Sequence, residues 1–322
     1  MKGIHASMPI MLAGMMLGAA CAADPAAPLA MAEVKPGVFV HVGKVEDWGP
    51  ANGGDVANIG FIVGRRCVAV IDTGGTPAIG RALLASVERT TQLPICWVMN
   101  THAHPDHVLG NAAFVEAGAT KTRFVAHARF PRALGARETY YLNAMDRDFG
   151  VRLTHASIIY PETHVETSLD LDLGERILTL RAWPTAHTDN DLTVYDQRTR
   201  TLFASDLLFV RHLPVLDGSL RGWLAATAEL GRMPVDTVVP GHGPVSTDAP
   251  AALAAQAGYL EGLARDTRAA LRDHRTIQQA VDGIGVPAGS GWLLGERFQK
   301  RNVTAAYAEL EWEDVAPTSP RK

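Results

Sequence analysis

Three histidines and an aspartate lie within six residues of one another, directly after an apolar run, in the segment NTHAHPDHVLGN at residues 100–111. The group consists of His102, His104, Asp106 and His107. If these side chains were structural, each would need its own hydrogen-bond partner, because burying an unpaired imidazole or carboxylate is costly. One or two metal ions satisfy all of them together. The segment therefore predicts a metal site at the point where a buried strand ends.

The neighbouring segments predict that this strand belongs to a parallel sheet. Residues 59–75, IGFIVGRRCVAVIDTGG, are typical of a hairpin whose second strand stops at Asp72. Residues 77–91 have helical spacing, and residues 93–100, LPICWVMN, form an apolar strand that leads to Thr101. Strand, helix and strand at this spacing predict a crossover between parallel strands. Ligands in such sheets bind beyond the carboxyl ends of the strands.

A second set of strands follows further along the chain. Strands are expected near residues 167–171 and 176–182, followed by the hairpin DLTVYDQRTRTLFASD, whose second strand is predicted to stop at Asp206. The segment PVDTVVPGHGPV predicts a short strand ending at His242, and the glycines on both sides of this histidine permit close backbone approach. From Asp248 onward the sequence is Ala-rich and helical.

Composition limits the classes of partner. The chain has 322 residues, of which 47% are hydrophobic, and a formal net charge of −4. It lacks the basic blocks that nucleic-acid-binding proteins use to contact phosphates. We therefore expect a small-molecule substrate and no nucleic-acid partner.

The first residues are typical of a targeting segment. Lys2 precedes the apolar run MPIMLAGMMLGAACAA, which is too short to span a bilayer and has the length of a signal-peptide core. A signal peptide over residues 1–23 predicts a periplasmic protein with no transmembrane segment in its mature form. The alternative is a lipid anchor on Cys21, although Gly18 departs from the usual lipoprotein pattern. Cys67 and Cys96 could form a disulfide or remain two small buried side chains, and the sequence leaves both open.

The motif THAHPDH resembles the signature of the metallo-β-lactamase superfamily, and three further motifs of that family follow in order: AHTDND, FASDLLF and PGHG. The resemblance spans roughly residues 34–245. It implies an α/β (α+β) fold, a four-layer αββα sandwich, with two divalent metals between the sheet edges, zinc being the expected metal. The implied ligands of the first metal are His102, His104 and His187, and those of the second are Asp106, His107 and His242. Asp206 would bridge the two metals, and Asp72 would orient the site.

The resemblance also implies a reaction. A metal-bound hydroxide would attack an ester, thioester or related carbonyl substrate, with Asp106 and Asp206 as catalytic residues. Arg211 and His212 follow Asp206 closely and are candidates for substrate contact. In the lactamases of this family the position of Asp206 is typically Cys or Ser, whereas the thioesterase-like glyoxalase II branch has a bridging Asp. A carboxylic ester or thioester is therefore favoured over a lactam.

The stretches GDVANIGFIVG, AHTDNDLTV and LDGSLRGW resemble the exported quinoprotein relay system zinc metallohydrolases, which are found beside PQQ-dependent dehydrogenases. A periplasmic quinoprotein dehydrogenase system is the partner that this resemblance implies. The alternatives are a β-lactamase, an iron-dependent sulfur dioxygenase and a non-catalytic metal-binding accessory protein. A diiron oxidoreductase normally has Glu where His104 stands, which argues against that class.

The predicted organisation has four parts: a signal peptide at 1–23, a metallo-β-lactamase-like domain at 31–247, a helical extension packed on it at 248–314, and a disordered tail at 315–322. Some other conspicuous residues are expected to serve packing only. Trp48, Tyr140, Tyr141 and Trp223 are expected in the core or in a lid, and His127 is expected to be structural.

Overall fold

The computed structural model describes residues 27–117 and 122–313. The predicted signal peptide and the predicted C-terminal tail lie outside these residues. Among the described helices, none combines the length and the apolar character needed to cross a membrane.

The first sheet has seven strands whose spatial order follows the chain. They are β1 (Ala32–Lys35), β2 (Val38–His41), β3 (Ile59–Val63), β4 (Val68–Ile71), β5 (Ile95–Met99), β6 (Arg123–His127) and β7 (Thr163–Val165). Pairing is antiparallel from β1 to β4 and parallel from β4 to β7. The predicted parallel crossover is therefore confirmed, with β4 and β5 side by side.

The second sheet has five strands, in the order β12-β11-β10-β9-β8. They are β8 (Ser168–Asp172), β9 (Ile177–Ala182), β10 (Leu192–Asp196), β11 (Thr201–Phe209) and β12 (Thr237–His242). Only the pairing of β11 with β12 is parallel. The carboxyl ends of β11 and β12 therefore meet at one edge of this sheet.

Eight α-helices lie within the described residues. They are α1 (Pro77–Thr90), α2 (Pro105–Val108), α3 (Asn111–Glu116), α4 (Phe130–Phe149), α5 (Leu220–Leu230), α6 (Ala249–Arg272), α7 (Ile277–Gly283) and α8 (Gly295–Leu310). Local signals explain several helix starts. Pro77 occupies the first turn of α1, and the Thr76 hydroxyl accepts a hydrogen bond from the Ile79 amide at 3.3 Å.

Two sheets packed face to face form the centre of the molecule, and helices cover both outer faces. Alternate residues such as Val40 of β2 and Leu180 of β9 share one buried inter-sheet cluster. The outer face of the first sheet is covered by α1 and α3, and that of the second by α5, α6 and α8. The predicted four-layer αββα sandwich is confirmed. The helices after residue 248 pack on it directly, since Leu260 and Val303 are fully buried beside Trp223.

The structure resolves the cysteine alternatives. Cys67, just before β4, forms a disulfide with Cys96 of β5, and their Cα atoms are 5.7 Å apart. The bond links neighbouring parallel strands of the first sheet. It closes a loop that contains α1.

The prediction that the strand through FASD stops at Asp206 is wrong, because β11 continues to Phe209. Ser205 has a left-handed backbone conformation, with φ of 47°, and the register with β12 shifts on either side of it. This bulge interrupts the pairing at Asp206 without ending the strand. Few residues other than glycine adopt such a φ, so no local residue pattern predicted the bulge.

Candidate metal centre

The first group of ligand atoms comes from three chain segments. One atom from each of His102, His104, His187 and Asp206 lies within 4.8 Å of all the others. His104 Nδ1 is 3.0 Å from His102 Nε2 and 3.1 Å from His187 Nε2. The three imidazoles therefore turn one nitrogen each toward a common point.

The second group consists of Asp106, His107 and His242, again within 4.8 Å of one another. His242 Nε2 is 3.3 Å from Asp106 Oδ2, and His107 Nε2 is 3.6 Å from the same oxygen. Asp106 and His107 lie in the short helix α2, whereas His242 ends β12. The seven ligands implied by the sequence resemblance therefore lie together. They come from the segment after β5, the loop between β9 and β10, the bulge within β11 and the end of β12.

Asp206 lies between the two groups. Its Oδ1 is 3.1 Å from His107 Nε2, and its Oδ2 is 3.3 Å from His187 Nε2. A glycine is required beside it, because a Cβ at Gly241 would lie 1.8 Å from Asp206 Oδ1. Oδ2 is also 3.5 Å from His242 Nε2, so the carboxylate contacts histidines of both groups.

The ligand residues leave buried polar atoms without hydrogen-bond partners, and bound metal ions would satisfy these atoms. His107 Nε2 and Asp206 Oδ1 are buried without a hydrogen-bond partner among the described residues, although they lie only 3.1 Å apart. Unpaired buried polar atoms of this kind are rare in folded proteins. Imidazole nitrogens and carboxylate oxygens are ligands of zinc and of other divalent transition metals.

Residues around the ligands fix their orientation. Asp72 Oδ2 accepts a hydrogen bond from His107 Nδ1 at 2.8 Å, and Asp72 Oδ1 accepts another from the Thr101 amide at 2.8 Å. His242 Nδ1 donates to the Val56 carbonyl at 3.0 Å. In both histidines the Nε2 atom is left for the metal. Asp72 therefore occupies the orienting position implied by the resemblance, at the end of β4.

Burial favours the neutral form of two histidines of the first group, His102 and His187. Burial lowers the pKa of His102 well below its usual range, and the charge of His107 lowers it further. Burial also lowers the pKa of His187 to about 3, against the attraction of Asp206. Neutral imidazole is the form that binds a metal.

The second group has the opposite electrostatic character. Burial alone would lower the pKa of His107, but the carboxylates around it, Asp206 and Asp106 foremost, raise it well above its usual range. The pKa of His242 is likewise raised to about 9, mainly by Asp206, in spite of burial. The carboxylates thus create a negative potential at the second group, and this potential favours the binding of a cation.

A cavity of about 620 Å³ opens over both groups. Its walls include Trp48, Tyr140 and Tyr141. Tyr141 is at the same time buried in the core, as predicted, and so is Trp223, which does not line the cavity. His212 also lines the cavity, with its pKa lowered to about 4 by burial.

Arg211 does not line the cavity, unlike the neighbouring His212 with which it was predicted to contact substrate. It is exposed, its φ is 67°, and its carbonyl accepts a hydrogen bond from the Leu293 amide at 2.7 Å. His127 lies outside both ligand groups, and its Nδ1 accepts from the Arg129 amide at 2.9 Å. His127 is therefore a structural histidine.

Sequence reasoning missed three charged residues of the cavity. Asp217 accepts from His104 Nε2 at 2.9 Å and from Arg301 Nη2 at 2.8 Å, and it forms an ion pair with Arg137 Nη2 at 2.6 Å. Burial raises the pKa of Asp217, but His104 and then the two guanidinium groups lower it well below its usual range. Asp217 does lie within LDGSLRGW, a stretch that carried the resemblance. The two arginines lie in helices α4 and α8, where nothing in the sequence distinguishes them from ordinary surface residues.

Solved structures of several enzymes are similar to this one. A stereoselective inverting sec-alkylsulfatase from Pseudomonas sp. has a TM-score of 0.68 at 19% identity, and the match covers 90% of this chain. This chain spans about half of that protein, 51% of its length. Metallo-beta-lactamases from Pontibacter korlensis and Hirschia baltica each have a TM-score of 0.56 at 20% identity over 72% of this chain, and the matches cover 99% and 97% of those proteins.

A search of curated proteins by sequence returns no significant match. Comparison with family models identifies the family. The family model described as the metallo-beta-lactamase superfamily matches residues 52–242, which is more than half of the chain and includes all seven ligand residues. With the αββα fold and the two ligand groups, this shows that the chain belongs to the metallo-beta-lactamase superfamily.

Proposed function

We propose that this metal-dependent hydrolase binds two divalent metals, with zinc as the native metal, and cleaves an ester, thioester or related carbonyl substrate. The observation that carries the proposal is the position of Asp206, whose carboxylate oxygens lie within 3.5 Å of histidines of both ligand groups. A carboxylate in this position is suited to bridging two ions. A single metal would leave the second group of buried charges without a partner.

Two bound metals would supply a water whose pKa is lowered to about 7, and they would polarise the bond under attack. The residues of the chain position the reacting groups. The seven ligands fix where the reacting centre lies, and Asp72 holds His107 in the required tautomer. His212, neutral at physiological pH, lies in the cavity wall within reach of a bound substrate.

The charge of Asp206 favours esters and thioesters over lactams. Its carboxylate adds a negative charge between the metals and so reduces the positive potential available to a leaving nitrogen. An alkoxide or thiolate leaving group depends less on that potential, because each is a weaker base than an amide anion.

Hydrolysis of a sulfate ester is the second candidate. The match to the sec-alkylsulfatase covers 90% of this chain, and it must extend into the helices after β12, because the unmatched tenth is shorter than Ala249–Leu310. Arg137 and Arg301 line the same cavity and share the single carboxylate of Asp217, so guanidinium donors remain for an anionic group.

A substrate panel tests these alternatives. The purified protein, loaded with zinc, is assayed with an activated acyl ester, an acyl thioester, a secondary alkyl sulfate and a penicillin, each beside a chelator-stripped control. We expect metal-dependent cleavage of the ester or thioester. Preferential cleavage of the sulfate would select the second candidate, and kcat/KM above roughly 10⁵ M⁻¹s⁻¹ on penicillin would select a β-lactamase.

Two rival classes are tested separately. Oxygen consumption with a persulfide by the iron-loaded protein would identify a sulfur dioxygenase. Metal binding without turnover of any substrate would favour a non-catalytic accessory protein.

We also propose export to the periplasm and a role beside a quinoprotein dehydrogenase system. These proposals rest on the apolar segment after Lys2 and on the resemblance of LDGSLRGW and related stretches. Mass spectrometry of protein from its native host should find a mature N-terminus between Cys21 and Asp24. Acyl chains on Cys21 would instead identify a lipoprotein, and retention of Met1 would contradict export.

A further inference from the structure

A loop between β11 and α5, residues 213–219, holds two ligands of the first group. The Val215 carbonyl accepts a hydrogen bond from His187 Nδ1 at 2.7 Å, and the Asp217 amide donates to the His187 carbonyl at 3.1 Å. Asp217 Oδ2 accepts from His104 Nε2 at 2.9 Å. This 213–219 loop therefore constrains His187 and His104 together.

The contact with Asp217 decides which nitrogen of His104 faces the site. A neutral imidazole has one N–H group and one lone pair, and an ionised carboxylate can only accept. His104 must therefore donate through Nε2, which leaves the lone pair on Nδ1. Nδ1 is the atom that lies 3.0 Å from His102 Nε2 and 3.1 Å from His187 Nε2.

Two helices far apart in the sequence fix Asp217 in turn. Arg137 of α4 contacts Oδ2 at 2.6 Å, and Arg301 of α8 contacts Oδ1 at 2.8 Å. The Asp217 side chain is 18% exposed, so these charge-assisted bonds are partly shielded from water. The carboxylate has little freedom to rotate away from His104.

Helix α8 also holds the backbone of the loop. Asn302 is fully buried, its Oδ1 accepts from the Leu216 amide at 2.9 Å, and its Nδ2 donates to the Pro214 carbonyl at 2.6 Å. Two consecutive residues of α8, Arg301 and Asn302, thus contact the same loop. Neither lies within the segment that the family model matches.

We propose that Asp217 is a positioning residue of the metal centre, and that it makes α8 part of the support for the first ligand group. The inference rests on the proposed metal centre. Asp217 holds the His104 ring with Nδ1 toward the metal, while Arg301 and Asn302 hold Asp217 and its loop. The carboxylate acts on metal binding through His104, and Asp217 is not itself a ligand.

Asp217→Ala and Asp47→Ala form a matched pair for the test. Each removes a carboxylate that lines the cavity and pairs with an arginine of α8, Arg301 and Arg297 respectively. Only Asp217 contacts a ligand histidine. Zinc dissociation constants are measured by competition with a chromogenic chelator, and the Co²⁺-substituted proteins are compared by visible absorption.

Asp217→Ala should weaken one of the two zinc equivalents by about 10- to 100-fold and change the Co²⁺ spectrum. Asp47→Ala should stay within about fivefold of the wild type for both equivalents, with an unchanged spectrum. Asp217→Asn, which keeps an acceptor oxygen, should give an intermediate affinity. Arg301→Gln should weaken the same equivalent by up to about fivefold, because it breaks one half-exposed ion pair.

Two outcomes separate this inference from the proposed centre. If His104→Ala still binds two zinc equivalents with wild-type affinity, the proposed centre is wrong. If His104→Ala loses one equivalent but Asp217→Ala binds both as the wild type does, Asp217 has no positioning role and the centre stands. Thermal unfolding of each apoprotein checks the fold. Should Asp217→Ala not fold, wild-type affinity in Asp217→Asn together with Arg301→Gln overturns the inference.

Discussion

The two ligand groups are supported by different parts of the molecule. The group of Asp106, His107 and His242 is oriented by Asp72 at the end of β4 and by the carbonyl of Val56, both attached to the first sheet. In the first group, His104 and His187 are oriented by the 213–219 loop, which is in turn bonded to α8. His102 Nδ1 instead lies 3.2 Å from the Thr101 hydroxyl, which donates to Asp72. The second group thus depends on the sheet edge, and most of the first depends on a loop and on α8.

The residues that support the two groups also differ in whether they lie within the segment that the family model matches. Asp72 and Val56 lie within residues 52–242, but Arg301 and Asn302 lie beyond them. The 213–219 loop also lies within the matched segment, so only the contacts that α8 makes with this loop come from outside it. We expect substitutions on the two sides to affect different metal equivalents.

Replacing the shared ligand should have the largest effect. Asp206→Ala removes the carboxylate that faces both groups, so we expect the loss of at least one zinc equivalent. Activity should fall by more than the roughly 100-fold upper range of substitutions outside the ligand set. Zinc content is measured by elemental analysis, and activity is measured as kcat/KM on the ester that the wild type cleaves fastest. Two zinc equivalents and near-wild-type turnover would show that Asp206 does not join the groups.

The strand pattern placed Asp72 at the end of β4, beside the strand that leads to the THAHPDH motif, and the family resemblance supplied its orienting role. Short hydrophobic runs with turn signals between them also predicted strands of both sheets. The identity of all seven ligands came from the family resemblance, since the spacing alone indicated a metal site without assigning His187, Asp206 or His242 to it.

The loop support was not predictable in the same way. Asp217 lies 113 residues from His104 and 84 from Arg301, and only the folded chain brings the three together. Arginines on amphipathic helices are common on protein surfaces, so Arg137 and Arg301 carried no local signal. The bulge at Ser205 was missed for another reason, since it depends on a backbone angle that few residues other than glycine adopt.

The next effect should be confined to the sheet-edge side. In Asp72→Asn the amide can still accept from the Thr101 backbone, but its NH₂ group faces the donor Nδ1 of His107. The histidine then loses its preferred tautomer, and zinc at the second group should bind about 10- to 100-fold more weakly. Chelator competition should show the second equivalent weakened more than the first, which Asp72 reaches only through the Thr101 hydroxyl and His102.

Asp55→Asn is the matched control for this substitution. It breaks an Asp–His contact of the same length, 2.8 Å, between Asp55 and His41, which lies outside both ligand groups. Both zinc affinities should remain at wild-type values. Equal weakening of both equivalents in Asp72→Asn would mean that the two groups are not supported independently.

A smaller effect on metal binding is expected on the loop side. Asn302→Ala removes the bonds to Leu216 and Pro214, leaving buried backbone groups unpaired, so the free energy of unfolding should fall by about 1–3 kcal/mol. The 213–219 loop then loosens, and zinc at the first group should weaken by less than in Asp217→Ala. Urea unfolding of the apoprotein and chelator competition measure the two effects.

Gln256→Ala provides the comparison for Asn302→Ala. Gln256 is also fully buried and bonds backbone of β11 through the Phe209 amide at 2.8 Å and the Leu207 carbonyl at 2.7 Å, but it does not contact the 213–219 loop. A similar loss of stability with unchanged zinc affinity is expected. If both variants weaken zinc equally, the effect follows from lower stability and not from the loop.

The smallest effect on the metals should come from the disulfide, although its effect on stability is substantial. The Cys67–Cys96 bond closes a loop between residues separated by 29 positions, for which chain entropy predicts about 3–4 kcal/mol of stabilisation. The double substitution Cys67→Ser and Cys96→Ser should lower the free energy of unfolding by about this amount, measured in urea with the wild type kept oxidised. Both zinc equivalents should keep wild-type affinity, because neither cysteine belongs to a ligand group and neither bonds to Asp72 or to the 213–219 loop. Loss of the second equivalent alone would show that strain between β4 and β5 reaches Asp72, and that the sheet edge is a less rigid support than its burial implies.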